Sequence, residues 1–297
     1  MSFLKPGSTV LVTGSTGQVG QELKHIIAKA SELYPFYFIF STRDELDLSN
    51  QASIKAFFET HHIDAIINCA AYTAVDQAEV EADVAYQINA KAVESLGVIA
   101  KQKKSVLIHL STDYVFDGQS KTPYKEDDVC APQSVYGASK RAGEEALLAI
   151  NPSCSVILRS SWVFSAFGHN FVKTMLRLGQ EKDEISVVCD QFGSPSYAAD
   201  LARVILDILV KINHEGLKIY HSCNDAKCSW YDFAKEIMSL AKLSCLVKAI
   251  KTKEYPTAAK RPPFSVLDNT LIKTDYRISI RHWRDALNAC IERLMKE

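Results

Sequence analysis

The chain has 297 residues, 47% of them hydrophobic and 23% charged, which is enough for one large domain or two modest ones. A formal net charge of −1 gives no basic field for nucleic acid, and no apolar run approaches the roughly 18 residues that span a bilayer. The opening MSFLKPGSTV lacks the charged, apolar and small-residue succession of a signal peptide, so a cytoplasmic protein with no nucleic-acid or membrane partner is expected.

The first apolar run, Ser8 to Thr13, reads as a buried strand. Gly14, Ser15, Thr16, Gly17, Gln18, Val19 and Gly20 follow it, and a helical stretch runs from Gln21 to about Ser31. A glycine-rich turn between a strand and a helix suits a dinucleotide. The glycines let the backbone approach the pyrophosphate, and the helix N-terminus favours its charge. Pro35 to Phe40 reads as the second strand, and Ser41, Thr42, Arg43 and Asp44 stand at its end. Hydroxyls and an arginine there suit a 2′-phosphate, so NADP(H) is the preferred cofactor and NAD(H) the alternative. Asp47 and Leu48 are placed to edge the adenine.

Ile54 to Thr60 reads as a short helix and Ala65 to Cys69 as the third strand, ending in the small pair Ala70–Ala71 and then Tyr72. Small residues there let a cofactor lie close to the backbone. The helix of Val84 to Lys101 carries Asn89 at its centre, a side chain able to hydrogen-bond the backbone of a neighbouring strand end and counted with Gly20 and Tyr72 among the cofactor-binding candidates. Val106 to Leu110 is the next buried strand, followed by Ser111 and Thr112, and Ser134 to Ile150 reads as a helix. Tyr136 and Lys140, at i and i+4, share one face of that helix. An ammonium beside a phenol lowers the phenol pKa, and such a group passes a proton to or from a carbonyl or alcohol oxygen. Thr112 is placed to hold that oxygen. Ser155 to Arg159 is a further strand.

This alternation gives an α/β fold, a Rossmann-type doubly wound parallel sheet, with ligands at the carboxyl ends of the strands. Beyond residue 160 the rhythm loosens. His169 to Gly179, Ala198 to Ile212, Trp230 to Lys242 and Trp283 to Met295 read as helices. Ile185 to Val188 and Lys218 to His221 read as strands. The expected division is a 1–160 NAD(P)-binding domain and a smaller 161–297 α/β substrate domain, with the helix near 198–212 packing back on the first. The eight cysteines read as reduced thiols, and the eight histidines show no metal-ligand spacing. His109, inside a strand, is expected to be a packed, hydrogen-bonded ring.

The glycine turn, the Ser-Thr-Asp-Tyr-Val-Phe block at 111–116 and Tyr-x-x-x-Lys at 136–140 together resemble the extended short-chain dehydrogenase/reductases. The blocks Asn68–Asp76, Arg159–Val163, His169–Leu178, Asp190–Pro195 and Arg261–Pro262 resemble those of the dTDP-4-dehydrorhamnose reductases. The resemblance implies NADPH-dependent reduction of dTDP-4-dehydro-L-rhamnose (dTDP-6-deoxy-L-lyxo-4-hexulose) to dTDP-L-rhamnose. Tyr136 is then the general acid, Lys140 the ribose-holding residue and Thr112 the residue on the reacting oxygen. Asp113, Tyr114, Trp162 and Asn170 are implied on the sugar side. Glu22 matches one glutamate of a magnesium-bridged dimer found in some members. Ala199 stands where those members carry a second, so the expectation is no metal and, at most, a metal-free homodimer. Pro263-Phe264-Ser265 departs from the family pattern after Arg261–Pro262. The alternatives are another nucleotide-sugar reductase or epimerase, or an NADP-binding regulatory subunit similar to the beta subunit of methionine adenosyltransferase.

Overall fold

The structure, a computed structural model, describes residues 3–296. Strand β1 (Thr9–Thr13) runs through the glycine turn into α1 (Gln18–Lys29). Strand β2 (Tyr37–Phe40) starts later than expected, because Pro35 has no N–H and Phe36 N turns back to Tyr34 O. Helix α2 (Gln51–Thr60) is opened by Asn50, whose side chain accepts from the amides of Ala52 and Ser53. Strand β3 (Ala65–Asn68) follows.

The single helix expected over Val84 to Lys101 is α3 (Ala82–Tyr86), a π-helical turn at Gln87–Lys91 and α4 (Ala92–Lys103). Strand β4 (Val106–Thr112) extends to include Ser111 and Thr112. Helix α5 (Val135–Ile150) is capped by Ser134, which accepts from Gly137 N, and β5 (Ser155–Ser160) succeeds it. The second half holds β6 (Val163–Phe164), α6 (Phe171–Glu181), β7 (Glu184–Val188), β8 (Phe192–Gly193) and β9 (Ser196–Tyr197). It continues with α7 (Ala198–Lys211), β10 (Leu217–His221), β11 (Cys228–Ser229) and α8 (Trp230–Leu240). Strand β12 (Leu246–Ile250), α9 (Thr270–Tyr276) and α10 (Trp283–Leu294) complete the order.

Among the described residues the main sheet has six strands, all paired in parallel, in the order β10-β5-β4-β3-β1-β2. Alternation along β1 supplies both faces. Val10 and Val12 join a core with Leu23 of α1 and Ile205 of α7, while Leu11 joins Ile54 of α2, Leu96 of α4 and Leu147 of α5. The chain order reverses between β1 and β3, which opens a crevice at their carboxyl ends.

A boundary at 160/161 divides the chain in sequence but not in space. Strand β10 is a sixth strand of the main sheet, paired with β5, and both α7 and α9 pack on that sheet's core. A separate core gathers α6, α8 and α10 around Phe233 and Trp283. The short β7–β12 pair lines it through Ile185, Val187 and Val247.

A buried ion pair ties α5 to the sheet. Glu144 accepts from Arg159 Nε at 2.8 Å and Nη2 at 2.7 Å, from Ser111 Oγ at 2.6 Å and from Arg141 Nη1 at 3.1 Å. Glu144 and Arg159 are both at most 1% exposed. Against burial, these donors hold the Glu144 carboxyl below its usual range. Removing one partner strands a charge in the interior, at a cost of about 3–5 kcal/mol. Glu144→Ala is therefore expected to lower the urea midpoint by a corresponding margin; a midpoint equal to that of the wild type would contradict this role.

Candidate active site

A cleft of about 510 Å³ lies over the carboxyl ends of the sheet strands. Its floor is the turn after β1. Gly14 has φ +65°, and a Cβ there would stand 2.6 Å from Ala70 N, so only glycine lets the two strand ends meet this closely. Helix α1 follows Gly17, which offers no side-chain cap, so the amides of its first turn, at the cleft lining, lack intrahelical acceptors. Gly14, Thr16, Gly17, Gln18, Val19, Arg43, Asp47, Leu48, Ala70 and Ala71 all line this space, with Tyr136 and Lys140.

Three residues expected at the cofactor stand behind it. Gly20 lies outside the lining, packed on the Gly14 carbonyl. Tyr72 turns away, its hydroxyl donating to Glu81 at 2.6 Å. Asn89, carried by the π turn, is buried, accepts from Tyr72 N at 2.9 Å and donates to Tyr72 O at 3.0 Å and to Ser139 Oγ at 3.0 Å. It thus holds the segment after β3 against α5. Gly168 and His169, which no spacing marks in the sequence, close the cleft from the second half. Near the β2 end, Glu45 accepts from Thr42 N and Oγ1. Arg43 is exposed beside Asp47, at 3.6 Å.

The proton-handling groups meet at the end of β4. Thr112 stands beside Tyr136 but outside the lining of the cleft; its hydroxyl donates to Asp113 Oδ1 at 3.1 Å and accepts from Tyr114 N at 3.2 Å. Burial pushes the Tyr136 phenol up to about 12; the Thr112 hydroxyl opposes this and the nearby Asp113 adds to it. The sequence pointed to a phenol brought down by Lys140, and the arrangement differs. Lys140 Nζ donates to Leu110 O at 2.6 Å and lies 3.4 Å from His109 Nε2, so its charge is spent towards β4. Burial brings Lys140 itself down to about 8, with Glu144 and Cys69 pulling the other way. The protonated phenol is the form present at neutral pH, which suits a proton donor.

A second cavity of about 650 Å³ adjoins Tyr114 and is walled by Phe171, Trp230, Gln191, Asp76 and Arg261. Tyr114 stands edge-on to Tyr136, ring centroids 5.6 Å apart, and so joins the two spaces. Asp76 pairs with Arg261 at 2.5 Å. Asp113 is buried, and its carboxyl is pushed up to about 6 by that burial against hydrogen bonds from Ser265 and Thr112. Of the described buried side-chain atoms without a hydrogen-bond partner, Arg261 Nη1 belongs to this cavity's lining, and Asp113 Oδ2 lies next to Tyr114 in sequence but outside it. An unpaired donor in a cavity wall is free to meet a ligand acceptor.

Two residues expected on the sugar side are placed differently. Trp162 lines neither cavity. It stacks face to face on Trp230, centroids 3.5 Å apart, and Trp230 supplies the aromatic wall. Trp162 adopts φ +48°, a strained value for a bulky residue, held by that stack and by Gly193 beneath it. Asn170 caps α6 by accepting from Lys173 N, and its Nδ2 donates to Gln18 Oε1 at 3.0 Å and Ser165 O at 2.8 Å. Glu22 is buried and accepts from Ser165 Oγ at 2.6 Å and Arg293 Nη1 at 2.8 Å. Among the described residues no group of three or more His, Cys, Asp or Glu could hold a metal ion, and no helix is long and apolar enough to cross a membrane.

Comparison with known proteins places this geometry. A dTDP-4-dehydrorhamnose reductase from Aggregatibacter actinomycetemcomitans is 42% identical over 287 residues, spanning 94% of this chain and 96% of that protein. The spore coat polysaccharide biosynthesis protein SpsK of Bacillus subtilis is 39% identical, spanning 95% of this chain and 96% of that protein. The crystal structure of a dTDP-4-dehydrorhamnose reductase from Bacillus anthracis, in complex with NADP, superposes with a TM-score of 0.89 at 37% identity, over 97% of this chain and 99% of that one. The family model described as the RmlD substrate binding domain matches residues 8–296, and the chain belongs to that family.

Proposed function

We propose that this protein is an oxidoreductase that reduces dTDP-4-dehydro-L-rhamnose to dTDP-L-rhamnose with NADPH. The observation that carries this reading is Tyr136, which lines the first cavity with Lys140 and stands edge-on to Tyr114 of the second. The near-full-length relatives named for this activity, and the NADP-bound neighbour, support it. Eight unpaired cysteines suit a reducing compartment and hence the cytoplasm.

The first cavity fits a dinucleotide phosphate. Uncapped amides of α1 suit the pyrophosphate, and Arg43, exposed at the rim and 3.6 Å from Asp47, suits a 2′-phosphate. Lys140 would hold the nicotinamide ribose. When bound, the reduced nicotinamide supplies the hydride that adds to the sugar carbonyl carbon. Thr112 holds the carbonyl oxygen, and Tyr136 gives its phenolic proton to that oxygen as the C=O bond becomes C–OH. Arg261 Nη1 would pair with the nucleotide diphosphate, and Trp230 would face the apolar side of the deoxysugar. The second reading, a cofactor-binding regulatory subunit, is disfavoured because such a protein has no physical need for a phenol beside Lys140 at the cleft.

Tyr136→Phe removes the proton donor and leaves the ring. Turnover is expected to fall on the order of 10²–10⁴-fold with NADPH affinity preserved; near wild-type turnover would defeat the role of Tyr136. Arg43→Ala is expected to raise the KM for NADPH about tenfold and leave that for NADH nearly unchanged, as for loss of one charge-assisted contact. Equal effects on both cofactors, measured side by side, would remove Arg43 from the 2′-phosphate.

A further inference from the structure

A row of polar side chains crosses three strand ends beneath the cleft and stops at Lys140. Thr13 on β1, Asn68 on β3 and His109 on β4 are register partners across the parallel sheet. All three are at most 1% exposed. Thr13 Oγ1 donates to Asn68 Oδ1 at 2.6 Å, Asn68 Nδ2 lies 3.0 Å from His109 Nδ1, and His109 Nε2 lies 3.4 Å from Lys140 Nζ.

The direction of each bond is set at the far end. The Ala70 amide can only donate, and it donates to Asn68 Oδ1 at 3.2 Å. The Asn68 amide nitrogen is thereby turned to His109, so Nδ1 accepts. A neutral imidazole that accepts at Nδ1 carries its proton on Nε2. Burial, and then the Lys140 charge, hold His109 well below its usual range, so the neutral ring is the form present. Its Nε2–H therefore faces Lys140 Nζ, a donor opposite a donor. Leu110 O is the acceptor at 2.6 Å, and Lys140 borders the cleft. The other groups bearing on its charge are Glu144 on α5 and the Cys69 thiol after β3, both of which favour the ammonium.

We propose that His109 is a positioning residue for the reduction: the Thr13–Asn68–His109 row presents an N–H to Lys140, denies the ammonium an acceptor on that side, directs its remaining hydrogens to the cleft and eases its deprotonation. This rests on the reading of Lys140 as the residue that holds the cofactor ribose.

Two measurements test it. In the wild-type protein, nitrogen NMR of ¹⁵N-histidine is expected to show His109 neutral with its proton on Nε2 across the neutral pH range. An Nδ1–H tautomer or an imidazolium would overturn the proposal. Asn68→Asp keeps the side-chain shape but offers only acceptors, so the His109 proton must move to Nδ1 and Nε2 becomes an acceptor for Lys140. The alkaline limb of the kcat–pH profile is then expected to move up by about one pH unit. A reversed tautomer with an unmoved limb would overturn it. The pH dependence of NADPH binding carries the same expected shift without any sugar, so failure of the row and failure of the assigned substrate give different results.

Discussion

One face of α5 carries Tyr136, Lys140 and Glu144 at successive turns and lies against the end of β4. The rest of the site depends on that contact. Glu144 accepts from Ser111, the residue before Thr112, and from Arg159 on the next strand. Lys140 donates to the Leu110 carbonyl, two residues before Thr112. The helix is thus anchored to the same short length of strand on which Thr112 sits, and the Tyr136–Thr112 separation follows from that anchoring. Burial is the common currency. It keeps the phenol protonated, brings Lys140 towards neutrality and makes the Glu144–Arg159 pair costly to break.

The second constraint joins the two halves of the chain through α1. Gln18 meets Asn170 and the Val163 carbonyl, and Glu22, one turn later, meets Ser165 and Arg293. The segment between Val163 and Asn170 carries Gly168 and His169, which border the cofactor cleft. The helix whose N-terminus borders the cleft therefore also holds the far wall of it. In the second cavity, Tyr114 stands edge-on to Tyr136 of the first, and the Asp76–Arg261 pair ties the loop before Pro262 to the segment after β3.

Much of this was legible in the sequence because it is local. A strand, a glycine turn and a helix follow one another at β1 and α1, and Tyr136 and Lys140 share a face through helical spacing alone. What escaped is tertiary. Nothing in Gln87–Lys91 distinguishes a π turn from ordinary helix; Asn89 reads both as a bond to a strand-end backbone and as a cofactor residue, and it makes the first, to Tyr72, from outside the cleft lining. The run at β10 is plainly a strand, but a lone apolar run does not say which sheet it joins. Trp162 and Trp230 are far apart in sequence, and only their stacking decides which of them faces the cavity. Asn170 did have a signal, since an asparagine just before a periodic apolar run is a helix cap. The resemblance led instead to a substrate contact. His109 was read as a packed and hydrogen-bonded ring, which it is; that its partners lead to Lys140 is a fact of register between β1, β3 and β4.

The measurement that tests the account most directly is NADPH oxidation by the purified protein supplied with dTDP-4-keto-6-deoxyglucose, in the presence and absence of a sugar 3,5-epimerase. Oxidation that requires the epimerase, with dTDP-L-rhamnose as the product, is the expected result. Oxidation without it would assign the protein to a different 4-keto sugar, and no oxidation in either case despite measurable NADPH binding would contradict the reductase account and favour a regulatory role.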